Sequence, residues 1–253
     1  MDLKGKVVVV TGGARGIGKE IASVFAGRGA GVALLDLNEA ELEATRAELA
    51  NNGSRISAHA LNVANEDDVI RAFDEVAAAH GRLDVLVNNA GIIKDALLVK
   101  VKDGAVVSRM SLAQWQAVID VNLTGVFLCG REAAGRMIEF GEGGVIINIA
   151  SISKAGNAGQ SNYSAAKSGV TALAVTWAKE LARFGIRAAA IAPGFVRTDL
   201  LASMPAEMLD KVTAPVPLKR LGLPAEIAHT ALFIAENDFF TGRSVDVDGG
   251  LRL

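Results

Sequence analysis

Short continuous apolar runs recur along the chain, each followed by a longer stretch whose apolar residues return every three or four positions. Lys6–Val10 is the first run and Ile17–Arg28 the first amphipathic stretch. Gly31–Leu35 is apolar again, followed by Asn38–Asn51, rich in Ala, Leu and Glu at helical spacing. Asn38 is placed to cap that helix, and Glu39, Glu41 and Glu43 suit the positive end of its dipole. Ile56–Ala60 predicts a strand and Glu66–His80 a helix stopped by Gly81. Leu83–Asn88 and Val145–Ile149 lack polar alternation, as strands covered on both faces do. Between them Ser111–Phe140 reads as helical, with Ser111 as its cap. Asn162–Phe184 is a long Ala-rich helix, Ile186–Ile191 a sixth strand and Ser244–Val247 a last one. Pro224–Glu236 is a helix with proline in its first turn.

Strand and helix in turn imply right-handed crossovers and a parallel sheet between two helical layers. The expectation is an α/β, Rossmann-type, doubly wound parallel sheet of about seven strands, with residues 1–253 as one domain. Two stretches break the rhythm. Ile92–Met110 alternates weakly around Asp103-Gly104, the turn dipeptide of a small β-hairpin. Phe195–Leu223 carries Pro205, Pro215 and Pro217 and reads as a loop with a short helix. Long excursions after strands sit at the carboxyl ends of a doubly wound sheet, where ligands bind, so both are candidate substrate-pocket segments.

Composition removes several alternatives. With 51% hydrophobic residues the chain is no disordered segment. Lys plus Arg is 26 against 28 Asp plus Glu, a net charge of −2, which gives no global field for nucleic acid or an anionic membrane. A lone cysteine, Cys129, rules out an internal disulfide, and His59, His80 and His229 lack metal-ligand spacing, so no metal is expected. The opening apolar run, Val7–Val10, is too short for a secretory signal and no long apolar span follows, so a cytoplasmic protein is expected.

Three groups carry chemistry. Thr11-Gly12-Gly13-Ala14-Arg15-Gly16-Ile17-Gly18 follows a strand and opens a helix. Gly12 suits a tight turn, Gly16 the approach of backbone to a pyrophosphate and Gly18 close helix–strand packing, while the helix N-terminus offers unpaired N–H groups to phosphates. Asp36 ends the second strand, where a carboxylate accepts from an adenosine ribose and repels a 2′-phosphate. Arg15 in the loop pulls the other way, since an arginine there accommodates that phosphate. Asp36 stands closer to the ribose position, so NAD(H) is favoured over NADP(H). The third group is Ser151, Tyr163 and Lys167. Tyr163 and Lys167 share one helical face at i and i+4, and a neighbouring ammonium should lower the tyrosine toward neutrality for acid/base work. Taken singly, each group has a purely structural reading as a turn, a solvated carboxylate or a packed helix face.

Taken in order, the glycine loop, Asn88-Asn89-Ala90-Gly91, Asn122, Ser151, Tyr163-x-x-x-Lys167 and Pro193-Gly194 resemble the short-chain dehydrogenase/reductase family over essentially the whole chain. Within it the chain is most similar to the 3-oxoacyl-(acyl carrier protein) reductases, through segments 88–98, 118–127, 161–170, 192–199 and 241–250. The resemblance implies an oxidoreductase interconverting a secondary alcohol and a ketone. Tyr163 would exchange the substrate proton, Ser151 would orient the substrate oxygen, and Lys167 would bind the nicotinamide ribose. Asn122 would interrupt its helix and hold a water linking Lys167 to solvent. Asn62 and Val63 would contact adenine, Asn89, Ala90 and Gly91 would line the cofactor floor, and Ile17 would lie in the phosphate turn. Pro193, Gly194, Val196 and Thr198 would meet the carboxamide. The family also implies a homotetramer, with Gly249–Leu253 near a subunit interface. Asn62 replaces the family's usual Asp, and Asp36 departs from reductases that mostly use NADPH. Segment Ile92–Met110 is longer than those reductases' usual one by several residues, around Val101–Arg109. Glu142 and Phe184 stand where those reductases place carrier-docking arginines, which implies little preference for a carrier protein over a coenzyme A or short thioester. A small sugar alcohol, cyclic alcohol or hydroxyacid is the alternative substrate. An NAD-sensing or scaffolding protein is the non-enzyme alternative, disfavoured by the complete catalytic set.

Overall fold

A computed structural model describes residues 1–50, 53–198 and 206–253. Seven strands form one parallel sheet: β1 Val7–Thr11, β2 Gly31–Asp36, β3 Ile56–Ala60, β4 Val85–Asn88, β7 Gly144–Ile149, β8 Ile186–Pro193 and β9 Ser244–Val247. Their spatial order is β3-β2-β1-β4-β7-β8-β9. The chain winds outward from β1 to β3, then returns to place β4 on the other side of β1, in parallel register from Val8 opposite Val85 to Thr11 opposite Asn88. That reversal opens a crevice at the carboxyl ends of β1 and β4.

Two apolar cores flank the sheet because its central strands are buried on both faces. Val8 and Val10 of β1 enter one core with Ile21 and Phe25 of α1 (Gly16–Gly27), Leu42 and Leu49 of α2 (Glu39–Ala50), and Ile227 and Ile234 of α8 (Pro224–Glu236). Val9 enters the other with Val69 and Phe73 of α3 (Glu66–His80), Cys129 and Met137 of α5 (Gly125–Phe140), and Val170 and Trp177 of α6 (Ser161–Glu180). The Cys129 thiol is fully buried in that core, and burial pushes it up to about 12. Among the described residues no helix is long and apolar enough to cross a membrane, and no group of three His, Cys, Asp or Glu side chains gathers at a metal-holding distance.

Capping follows the expected chemistry. Asn38 Oδ1 accepts from Glu41 N, Asn65 Oδ1 accepts from Asp68 N, and Ser111 forms a reciprocal box with Gln114. The predicted Ser111–Phe140 helix is interrupted. α4 (Leu112–Ile119) passes through a π-helical turn, Asp120–Thr124, before α5. The predicted Asn162–Phe184 helix ends at Glu180, and a 3₁₀ turn, Ala182–Phe184, tightens the chain into left-handed Gly185. Asp103-Gly104 forms the turn between β5 (Val99–Lys102) and β6 (Ala105–Arg109), an antiparallel pair apart from the main sheet. Both turn residues have positive φ, 50° and 77°. Of Phe195–Leu223, the structure shows α7 (Ala206–Thr213), while 199–205, with Pro205, lie outside the described residues, as does Asn51 at the end of its predicted helix.

Candidate active site

The crevice is built on hydrogen bonds between the loops after β1 and β4. Thr11 Oγ1 accepts from the backbone N–H groups of Asn89 and Ala90, at 3.0 and 3.1 Å. The Asn89 amide donates back to Thr11 O and Gly12 O, at 3.1 and 2.9 Å. Asn89 therefore braces the glycine loop with its side chain, and Thr11, immediately before the glycines, is its acceptor. Gly18 packs against the same brace: a Cβ there would stand 2.1 Å from Gly12 O and 2.6 Å from Asn89 Nδ2. Gly16 has φ +55°, and the nearest atom to a Cβ built on it is Thr198 Cγ2 at 3.8 Å. Thr198 thus faces the loop at van der Waals distance from a side chain placed there. Pro193 ends β8, Gly194 N donates to Val247 O, and buried Val196 bridges Gly222, so this segment forms the far wall.

Helix α1 begins here without a side-chain cap and with no acidic residue in its first turn. The Gly16, Ile17 and Gly18 amides are the open donors of a helix N-terminus, where an anion is stabilised. Asp36 lies beside them. Its Oδ2 accepts from Ala14 N at 3.1 Å and its Oδ1 from Asn38 N at 3.2 Å, leaving a lone pair on each oxygen for a ribose hydroxyl. Exposed Arg15 points to Glu41 Oε1, 3.6 Å away. Asn62, exposed after β3, folds its Oδ1 onto Ala64 N, and Val63 is buried against Gly125.

Ser151, Tyr163, Lys167 and Asn122 converge at the carboxyl end of β7. Lys167 is buried and its Nζ donates to Ile149 O at 2.7 Å. Asn122 sits in the π turn, its Oδ1 accepting from Ile92 N at 2.8 Å and its Nδ2 donating to Ile92 O at 2.9 Å. The free side of Gly91 lies between them: a Cβ there would be 3.5 Å from Asn122 Oδ1 and 3.7 Å from Lys167 Nζ. A π turn places one residue out of helical phase and often marks a functional site.

One electrostatic expectation is corrected. Tyr163 was expected to be lowered by Lys167. Burial instead holds its hydroxyl above the usual value of 10.0, the Ser151 hydrogen bond opposes this, and the Asp95 charge adds to it. Lys167 lies 5.6 Å from the ring centroid, bound to a carbonyl, and burial lowers it to about 8. The protonated phenol is the resting form, suited to giving a proton to a ketone oxygen.

Asp95 belongs to a polar cluster that sequence reasoning missed. Its Oδ2 accepts from Gln160 Nε2 at 2.9 Å; Gln160 Oε1 accepts from Ser153 Oγ and Asn157 Nδ2; and Ser153 N donates to Ser151 Oγ at 3.1 Å. Asn162 Nδ2 donates to Lys94 O and Gln114 O. Only the adjacency of Gln160 and Asn162 to Tyr163 hinted at this. Removing the Asp95 charge removes a cause that raises Tyr163. In Asp95→Asn the alkaline limb of ketone reduction should therefore move to lower pH, and the acid limb of alcohol oxidation, which needs the phenolate, should move down with it. Steady-state pH profiles in both directions test this; unmoved limbs would show that Asp95 exerts no field on Tyr163.

The uncapped helix, the open side of Gly16 and the carboxylate at the end of β2 fit a dinucleotide, and the Ser/Tyr/Lys set fits a carbonyl beside it. The fold and site define a nicotinamide-dependent oxidoreductase acting on CH–OH and ketone groups. A family model described as enoyl-(acyl carrier protein) reductase matches residues 12–252. The chain belongs to the short-chain dehydrogenase/reductase family. It is 40% identical to 3-oxoacyl-[acyl-carrier-protein] reductase FabG of Thermotoga maritima, covering 100% of both chains. It is 42% identical to the 3-oxoacyl-[acyl-carrier-protein] reductase of Synechocystis, over 99% of this chain and 98% of that one. With FabG of Vibrio cholerae it shares 37% identity over 100% of both.

Proposed function

We propose that this chain is an NAD(H)-dependent enzyme that reduces a 3-oxoacyl thioester to the 3-hydroxy compound, or runs the reverse. The convergence of Ser151, Tyr163 and Lys167 beside the glycine loop carries the reaction. The activity for which the full-length relatives are named supports the substrate class. A bound nicotinamide supplies the hydride to the carbonyl carbon. Ser151 donates a hydrogen bond to the carbonyl oxygen, and Tyr163 gives that oxygen its proton as negative charge develops. Lys167, fixed by Ile149 O, would bind the ribose hydroxyls, and a water held by Asn122 would link it to solvent so that a proton spent by Tyr163 is replaced. Gly12, Arg15, Gly16, Ile17 and Gly18 would hold the pyrophosphate, Asn62 and Val63 the adenine, Asn89, Ala90 and Gly91 the cofactor floor, and Pro193, Gly194, Val196 and Thr198 the carboxamide. The enzyme works as a cytoplasmic homotetramer, with no role for nucleic acid or membrane.

The preference for NAD(H) rests on Asp36, whose carboxylate borders the ribose position while Arg15 is drawn to Glu41. A 2′-phosphate would meet Asp36 with like charge. Asp36→Ala should move the NADP-to-NAD ratio of kcat/KM about tenfold or more toward NADP, a change of about 1.4 kcal/mol. A wild-type enzyme that already prefers NADPH would overturn this assignment. The substrate reading is tested by turnover of a 3-oxoacyl N-acetylcysteamine thioester against a panel of sugar alcohols, cyclic alcohols and hydroxyacids.

A further inference from the structure

Gln160 holds the N-cap position of α6, yet its side chain makes no hydrogen bond to its own helix. An N-cap is usually a short polar residue whose oxygen accepts from the first-turn amides. Here a long amide is turned away from the helix and buried instead. Its Oε1 accepts from Ser153 Oγ at 2.9 Å and from Asn157 Nδ2 at 3.0 Å, and its Nε2 donates to Asp95 Oδ2 at 2.9 Å. Buried polar atoms left without partners are costly, so these three bonds fix the side chain in one place.

The Asp95 carboxylate decides which way the amide faces. An ionised carboxylate only accepts, so a flipped Gln160 would set oxygen against oxygen at Asp95 and nitrogen against nitrogen at Asn157. With the Gln160 oxygen turned inward, Ser153 donates its hydroxyl proton to it. Ser153 belongs to the 3₁₀ turn Ile152–Ala155, and Ser151 caps that turn. Ser153 N donates to Ser151 Oγ at 3.1 Å, and Lys154 N donates to Ser151 O at 3.0 Å. One lone pair of Ser151 Oγ is thereby occupied, and its own proton is directed away from the turn, toward Tyr163. Asp95, Gln160, Ser153 and Ser151 thus form one chain of hydrogen bonds joining the loop after β4, the start of α6 and the end of β7.

We infer that Gln160 is a positioning residue for Ser151, acting through Ser153 with its amide oriented by Asp95. The inference rests on the role given to Ser151 above. A donor aimed at developing charge acts only in the right place, so a loosened turn lowers the rate of the chemical step.

The test follows reduction of a 3-oxoacyl N-acetylcysteamine thioester, read as kcat, with NADH affinity measured by nicotinamide fluorescence. Gln160→Leu keeps the bulk of the side chain and removes the amide. Its kcat should fall about tenfold while NADH affinity holds. Ser151→Ala should lose about 100-fold or more. Adding Gln160→Leu to Ser151→Ala should cost no further turnover, because the residue being positioned is already gone. Gln160→Glu alone sets two carboxylates face to face and should also lower kcat. The exchanged pair Asp95→Asn/Gln160→Glu again places a donor against an acceptor and leaves an oxygen for Ser153 and Asn157, so it should return close to wild type. An equal loss from Gln160→Leu in the wild-type and Ser151→Ala backgrounds would overturn the inference, since Gln160 would then act on the fold or on Tyr163. An exchanged pair no better than Gln160→Glu would overturn it as well. If Ser151→Ala turned over like the wild type, the role given to Ser151 would itself fail.

Discussion

Tyr163→Phe is expected to keep the fold and the cofactor affinity while turnover falls at least about 100-fold, the usual scale for removing a general acid. The ring stays in place, so the helix face and its contact with Lys167 survive; only the hydroxyl is lost. Burial keeps that hydroxyl protonated at neutral pH, so the loss should be largest for ketone reduction. Cofactor binding is read by nicotinamide fluorescence, and turnover by single-turnover absorbance. Activity within a few-fold of wild type would remove Tyr163 from the reaction.

Gly18→Ala should be the most damaging one-carbon change in the cofactor cradle. The added Cβ meets Gly12 O at 2.1 Å and Asn89 Nδ2 at 2.6 Å, and neither is the end of a flexible side chain free to swing away. The loop must shift, which breaks the Asn89 brace and moves the N-terminus of α1. Overpacking of this kind costs about 1–3 kcal/mol of stability, and cofactor affinity should fall with it. Gly27→Ala at the other end of α1 is the internal comparison. Its Cβ meets nothing within 4 Å, so the substitution should stabilise by about 0.4–1 kcal/mol. Urea titrations of the two variants should move their midpoints in opposite directions. If Gly18→Ala unfolded at the wild-type midpoint and bound NADH normally, the loop would be far softer than these contacts imply.

The sheet was legible because its strands are buried on both faces, which leaves unbroken runs such as Val7–Val10 and Val145–Ile149 in the sequence. The hairpin was legible for a local reason: Asp103-Gly104 supplies two residues suited to positive φ. The catalytic residues had local spacing and a family pattern. Asp95 and Gln160 had neither; they are 65 positions apart and are joined only when the loop after β4 meets the start of α6. Asn89 was read as cofactor floor, and its side chain is spent on Thr11 and Gly12 because the loop carbonyls need a donor there. The direction of the Tyr163 shift was misread because spacing on a helix reports proximity to Lys167 and says nothing of burial.

Cys129 gives the chain a practical property. A thiol buried in the core and raised to about 12 carries almost no thiolate at neutral pH, and thiolate is the species that alkylating agents and disulfides attack. The native protein should therefore tolerate maleimides and mild oxidants without losing activity. A cysteine placed at exposed Val101 would become the sole reactive sulfur in the folded chain, so a fluorophore could be attached to the β5–β6 hairpin without first removing any natural residue.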